Sequence, residues 1–145
     1  MASSGHEAIE SADERLWHAA WDDPATAQAQ AALALRELAD WVEGKPVAPF
    51  DAYAGLVKPK IVSAELEVGA SFLEVGCGAG YYSAVTAVTY RATGHRADRF
   101  HYCGVDRSEE MIEMARTLWH GHTWHAANGE RLFEDLYFRP GKFDL

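Results

Sequence analysis

Apolar residues recur at helical steps near the start of the chain, through Ile9, Ala12, Leu16, Trp17 and Ala20, and again through Ala31, Leu35, Leu38 and Val42. The spacing predicts two helices. Asp23 and Pro24 have the residue types of an N-cap and first helical position for the second, which is expected to run to about Glu43, with Gly44 and Pro46 as its stop. A further short helix is expected from about Lys60 to Glu67, closing at Gly69. The period then changes. Phe72, Leu73 and Val75 form a contiguous apolar run that suits a buried strand, and Gly76, Gly78 and Gly80 follow at alternate positions. From about Tyr81 the helical step returns through Tyr82, Val85, Val88, Thr89 and Ala92. This is a strand, glycine turn and helix, with the free N–H groups and dipole of the helix facing whatever lies over the turn.

The pattern then repeats. Tyr102 to Val105 reads as a second strand ending at Asp106. Ser108 can cap the next helix, Glu109 and Glu110 favour its positive end, and Met111, Ile112, Ala115, Leu118 and Trp119 form its apolar stripe. A third strand is expected at about Thr123 to Ala127, then a helical turn through Arg131 to Leu136. Pro140 and Gly141 break the chain before Phe143, Asp144 and Leu145 begin a fourth strand. Residues 1–69 therefore read as a helical segment and 70–145 as an α/β unit with a parallel sheet.

Composition narrows the functions this arrangement can serve. The 145 residues bound the chain to one domain at most, and 13 Lys and Arg against 22 Asp and Glu give a formal net charge of −9. That balance argues against duplex nucleic acid, because phosphate contacts need clustered cations. A small-molecule or protein substrate fits better. The three arginines of RATGHRADR, residues 91–99, could meet an anionic acceptor or form a solvated basic loop. The two cysteines, Cys77 and Cys103, make no disulfide framework, no apolar run reaches about 18 residues, and the opening MASSGHEAIES lacks the features of a secretory signal. A cytoplasmic protein without a membrane partner is the expectation.

Three histidines, His120, His122 and His125, lie close together, but no Cys or carboxylate completes a tetrahedral set and strand alternation turns His125 away from the other two. No metal site is expected. The glycine turn has a plainer alternative as an ordinary tight turn. What raises it above that is Asp106, at the tip of the neighbouring strand, from which a carboxylate can accept hydrogen bonds from both ribose hydroxyls. Trp17, Trp21, Trp41, Phe50 and Tyr53 suit packing of the helices together or onto the sheet.

LEVGCGAG, Leu73 to Gly80, resembles the first motif of the class I S-adenosylmethionine-dependent methyltransferases, and GVDRSEEMIEMAR, Gly104 to Arg116, is similar to their second. AANGERL, Ala126 to Leu132, and Phe143 to Leu145 resemble later motifs more loosely, so the likeness covers roughly the second half of the chain. The resemblance implies a Rossmann-like sheet of order 3-2-1-4, here cut off at strand four, preceded by N-terminal helices. It implies S-adenosylmethionine as cofactor, with Glu74 taking the methionine ammonium directly or through water. Gly76, Cys77 and Gly78 offer backbone to the methionine and sugar, Asp106 holds the ribose, Arg107 flanks the adenine face, and Asn128 and Gly129 line the adenine edge. It also makes Tyr53 a candidate lid residue. The plainer alternatives are a solvated strand-end charge for Glu74, a helix cap for Asp106 and an Asn-Gly turn for Asn128, where the family commonly carries an acid.

Methyl transfer is an in-line displacement at a sulfonium carbon, in which the protein mainly positions a small-molecule acceptor, and no catalytic base is assignable. A sheet cut off at strand four would expose strand one, so self-association or a complementing chain through the strand-one and strand-four side is expected. Two other readings stand beside this one. A non-catalytic cofactor-binding half-domain or scaffold shares every motif. A NAD(P)-dependent oxidoreductase shares the strand, turn and acidic tip, but its GxGxxG fingerprint would place the third glycine where this chain has Tyr81.

Overall fold

The computed structural model describes Ala19 and residues 23–63, 70–94 and 100–127. In chain order these form α1 (Pro24–Val42), α2 (Ala48–Ser63), β1 (Ala70–Val75), α3 (Tyr81–Ala92), β2 (Phe100–Asp106), α4 (Glu109–Leu118) and β3 (Thr123–Ala126). The first expected helix apart from Ala19, the turn through Arg131 to Leu136 and the fourth strand lie outside the described residues.

The caps fall where the residue types place them. Asp23 accepts the Thr26 backbone N–H at 2.8 Å with Pro24 in the first turn of α1, and Ser108 accepts the Met111 N–H at 3.3 Å to open α4. The expected short helix at Lys60 to Glu67 needs correction: α2 starts at Ala48 and carries Pro59 in its interior. Phe50, Val57 and Ile61 are buried at helical spacing, so packing overrides the proline's missing hydrogen bond. The Asp51 carboxylate accepts both the Val47 N–H at 3.1 Å and the Trp41 indole N–H at 3.0 Å, which ties the start of α2 to the end of α1.

The sheet is parallel, ordered β1-β2-β3, with Phe72 opposite Tyr102, Glu74 opposite Gly104 and Gly104 opposite Trp124. This is the 3-2-1 part of the expected order. Both crossover helices lie on one face. Phe72, Phe100, Tyr102 and Trp124 point there and share a core with Val57 and Ile61 of α2, Tyr90 of α3, and Ile112 and Ala115 of α4. Strand alternation sends Cys103 and Val105 to the opposite face, where Leu73 and Ala127 pack against them.

Candidate functional site

The parallel register of β1 and β2 brings the glycine turn and the Asp106 tip side by side. Gly76, Gly78 and Gly80 have φ of 78, 53 and 80°, the left-handed region that glycine enters without a Cβ penalty. This backbone doubles the turn back on β2. The Gly76 and Cys77 N–H groups both donate to the Val105 carbonyl, at 2.8 and 3.1 Å, and the Gly78 N–H donates to Asp106 Oδ2 at 2.8 Å. Asp106 Oδ1 accepts the Ser108 N–H at 2.9 Å, so one carboxylate orders both the turn and the start of α4. The cap of α4 considered for Asp106 is Ser108 instead, and Asp106 holds the N–H of that capping residue as well as the glycine turn.

Two tryptophans hold the turn from beneath. Trp119 Nε1 donates to the Ala79 carbonyl at 2.7 Å, and Trp124 Nε1 donates to the Trp119 carbonyl at 3.1 Å. The Trp124 ring occupies the space that a Cβ on Gly104 or Gly80 would need. Gly104 in the second motif therefore serves packing. Cys77 is buried beside Gly104, and desolvation, with the charges of Glu74 and Asp106 adding, pushes its thiol far above the usual range. It is an inert neutral thiol here.

Glu74, partly buried on β1, lies 2.7 Å through Oε2 from the Tyr102 hydroxyl, which donates to it when the carboxyl is ionised. Burial is the main cause that raises its pKa from 4.5 to about 7, opposed by the Tyr102 hydrogen bond and supported by the Asp106 charge. Tyr53, from α2, lies against the Tyr82 ring with centroids 4.4 Å apart, and its hydroxyl meets Thr86 Oγ1 at 3.0 Å and the Tyr102 hydroxyl at 3.3 Å. Sequence reasoning missed Tyr102 and Thr86. Their signal was a polar group at an apolar-stripe position in a buried strand and a buried helix.

Arg107 is exposed between Asp106 and Ser108. Asn128 and Gly129 lie outside the described residues. His122 faces Phe100, Tyr102 and Trp124 and accepts the Tyr102 backbone N–H on Nδ1 at 3.3 Å. His125 is in register with Val105, on the other face. Among the described residues no group of three or more His, Cys, Asp or Glu could hold a metal ion, and no helix is long and apolar enough to cross a membrane.

Among the described residues, the backbone of the glycine turn offers the mouth of this site few free donors, while the strand tips carry two carboxyls. The turn N–H groups at residues 76, 77 and 78 are spent on Val105 and Asp106, while the Glu74 and Asp106 carboxyls remain at the strand tips. A carboxylate has about four lone-pair sites, so Asp106 can accept further hydrogen bonds beyond these two. Such a mouth suits a ligand with hydroxyl and cationic donors.

No curated protein matches the chain. Among solved structures it is similar to the plantazolicin methyltransferase BpumL in complex with SAH, at 17% identity, covering 83% of this chain and 36% of that one, with a TM-score of 0.42. It is also similar to SAM-bound CalS10, an amino pentose methyltransferase from Micromonospora echinaspora involved in calicheamicin biosynthesis, at 28% identity, covering 65% of this chain and 34% of that one, with a TM-score of 0.39. The chain spans about a third of the length of these structures. A family model described as a methyltransferase domain matches residues 73–145, from the glycine turn onward, and by this match over half its length the chain belongs to the methyltransferase-domain family.

Proposed function

We propose that the chain carries the cofactor-binding part of an S-adenosylmethionine-dependent methyltransferase acting on a small-molecule acceptor. The observation that carries this reading is the inward direction of the turn N–H groups at residues 76 to 78, combined with two carboxyls at the adjoining strand tips. A dinucleotide presents a pyrophosphate, which needs outward N–H donors at the glycine turn. S-adenosylmethionine presents an ammonium and two ribose hydroxyls, donors that the Glu74 and Asp106 carboxyls can accept, alongside a carboxylate that these two groups do not serve. In this reading Glu74 takes the ammonium and Asp106 the ribose, with the backbone of Gly76, Cys77 and Gly78 against the methionine and sugar. Arg107 flanks the adenine, and Asn128 and Gly129 are assigned to its edge from sequence. The cofactor supplies its own electrophilic methyl group and leaving group.

Among the described residues β1 pairs only with β2, and association of two chains through its other side is part of the proposal, to be read as a dimer mass by light scattering. The cofactor assignment is tested by calorimetric titration with S-adenosylhomocysteine of the parent and Asp106→Asn. Asparagine keeps one carbonyl acceptor for the turn, whereas alanine would strip both the Gly78 and Ser108 N–H groups of their partner. Binding to the parent, weakened by about 1–3 kcal/mol in the variant, is expected from the stranded hydrogen-bonding groups. Equal affinity removes Asp106 from the site, and no binding to the parent ends the cofactor reading.

A further inference from the structure

The hydrogen bonds behind Glu74 cannot all be filled when its carboxyl is ionised. Thr86 Oγ1 donates to the Tyr82 carbonyl at 2.7 Å, and that hydroxyl has one hydrogen to give. The 3.0 Å link between Tyr53 and Thr86 must then take its hydrogen from Tyr53. Tyr53 in turn has to accept in its 3.3 Å link with Tyr102, which uses the Tyr102 hydrogen. What is left is the 2.7 Å link between Tyr102 and Glu74, and only a hydrogen on the carboxyl can fill it. If Glu74 is ionised, Tyr102 donates to it instead, and the Tyr53 and Tyr102 oxygens face each other without a proton.

We propose that Thr86, Tyr53 and Tyr102 are positioning residues that hold Glu74 as the neutral acid, and that an ammonium-bearing ligand discharges this proton to solvent as it binds. The second half rests on the reading of Glu74 as the partner of the cofactor's ammonium. On binding, the carboxyl O–H bond breaks, the proton passes to the buffer and the carboxylate accepts an N–H of the ammonium. Tyr102 swings its hydrogen from Tyr53 to Glu74, and the link given up is the longest of the four, at 3.3 Å.

The surroundings favour the neutral form. Burial and the Asp106 charge on β2 both disfavour ionisation of Glu74. Tyr102 from β2, Tyr53 from α2, Tyr82 from α3 and Cys77 from the turn are the other titratable groups whose charge would oppose that of Glu74. Lys60 lines the cleft beside Tyr53 and Tyr102.

The test is a carbon-13 NMR titration of the Glu74 carboxyl in the full chain, assigned by its loss in Glu74→Gln. The parent midpoint is expected near 7. Tyr53→Phe and Thr86→Val should each lower it by about one pH unit, the worth of one net hydrogen bond, because either change frees Tyr102 to donate to the carboxylate without leaving an unfilled link. Simple desolvation predicts the opposite sign, since both variants remove a polar group. An ordinary carboxylate midpoint in the parent, or an unchanged or raised midpoint in both variants, overturns the relay. Calorimetry with S-adenosylhomocysteine in two buffers of different ionisation heat should show release approaching one proton at pH 6, and about tenfold weaker affinity per pH unit below the parent midpoint. Binding without proton release overturns the discharge. Failure to bind at any pH overturns the cofactor reading and the discharge together, whereas the NMR midpoints decide the relay without ligand.

Discussion

Alanine at three glycines separates backbone strain from crowding within this one site. Gly78 has φ of +53°, and nothing lies within 4 Å of the position its Cβ would take. Its replacement should cost about 1–2 kcal/mol, the penalty for an L residue in the left-handed region. Gly104 has an ordinary strand backbone, but its Cβ would run into the Trp124 ring and lie 2.8 Å from Cys77 Sγ. That ring is 5% exposed and tethered through Nε1 to Trp119, so it cannot swing clear, and overpacking of about 1–3 kcal/mol is expected. Gly80 combines both, with φ of +80° and a Cβ 2.5 Å from Trp124 Cη2 and 2.9 Å from Trp119 Cδ1. Gly80→Ala should therefore cost about 2–5 kcal/mol, a large part of the ~5–15 kcal/mol that stabilises a typical domain. Because residues 80 and 104 crowd the same ring, the double variant should cost less than the sum of the singles, the ring having already been displaced. Urea denaturation followed by circular dichroism reads the series from midpoints at constant slope. A Gly80→Ala variant no more destabilised than Gly78→Ala, or additive costs at 80 and 104, would show that Trp124 does not set the space available to the turn.

Three further outcomes follow from single groups. Glu74 has a folded pKa of about 7, above its ordinary 4.5, so the folded state binds the extra proton and stability falls as pH rises through that window. The melting temperature should drop between about pH 4.5 and 7, by the equivalent of on the order of 3 kcal/mol, and Glu74→Gln should flatten that drop. Trp119→Phe removes the indole donor to the Ala79 carbonyl and should cost about 1–3 kcal/mol in the same urea assay, leaving a buried acceptor unpaired. Tyr81 buries a hydroxyl that has no hydrogen-bond partner among the described residues, so Tyr81→Phe should be neutral or stabilising, and a clear loss of melting temperature would reveal a role for that oxygen.

The sequence was most legible where local chemistry and tertiary packing agree. Asp23 with Pro24, the glycine turn and Ser108 each specify a backbone event by their own residue type, and each lies where its spacing predicted. The helix around Tyr53 was read too late and too short. Pro59 and Gly55 argue locally against a helix, while Phe50, Val57 and Ile61 bury together against the sheet and decide for one. Tyr102 looked like one more apolar residue of a buried strand, since nothing in a single sequence shows that Glu74 on β1 and Tyr53 on α2 reach its hydroxyl.

The polarity of the mouth depends on register in the same way. A strand, three alternating glycines and a helix are compatible with N–H groups pointing either out toward a phosphate or in toward the sheet. The choice is made by what stands opposite the turn. Val105, next to last in β2, presents a carbonyl 2.8 Å from Gly76 N and 3.1 Å from Cys77 N, and Asp106 brings an acceptor 2.8 Å from Gly78 N. The next donors are also used locally, Gly80 N–H on the Cys77 carbonyl and Ser83 N–H on the Gly80 carbonyl. An N–H given a good partner has little to gain from a ligand, so in the proposed reading the turn contributes shape and Glu74 and Asp106 select ligand charge. If that is how the site discriminates, inorganic phosphate and pyrophosphate should leave the amide NMR signals of residues 76 to 78 unmoved at concentrations where S-adenosylhomocysteine shifts them, and phosphate-induced shifts there would mean that the turn opens outward after all.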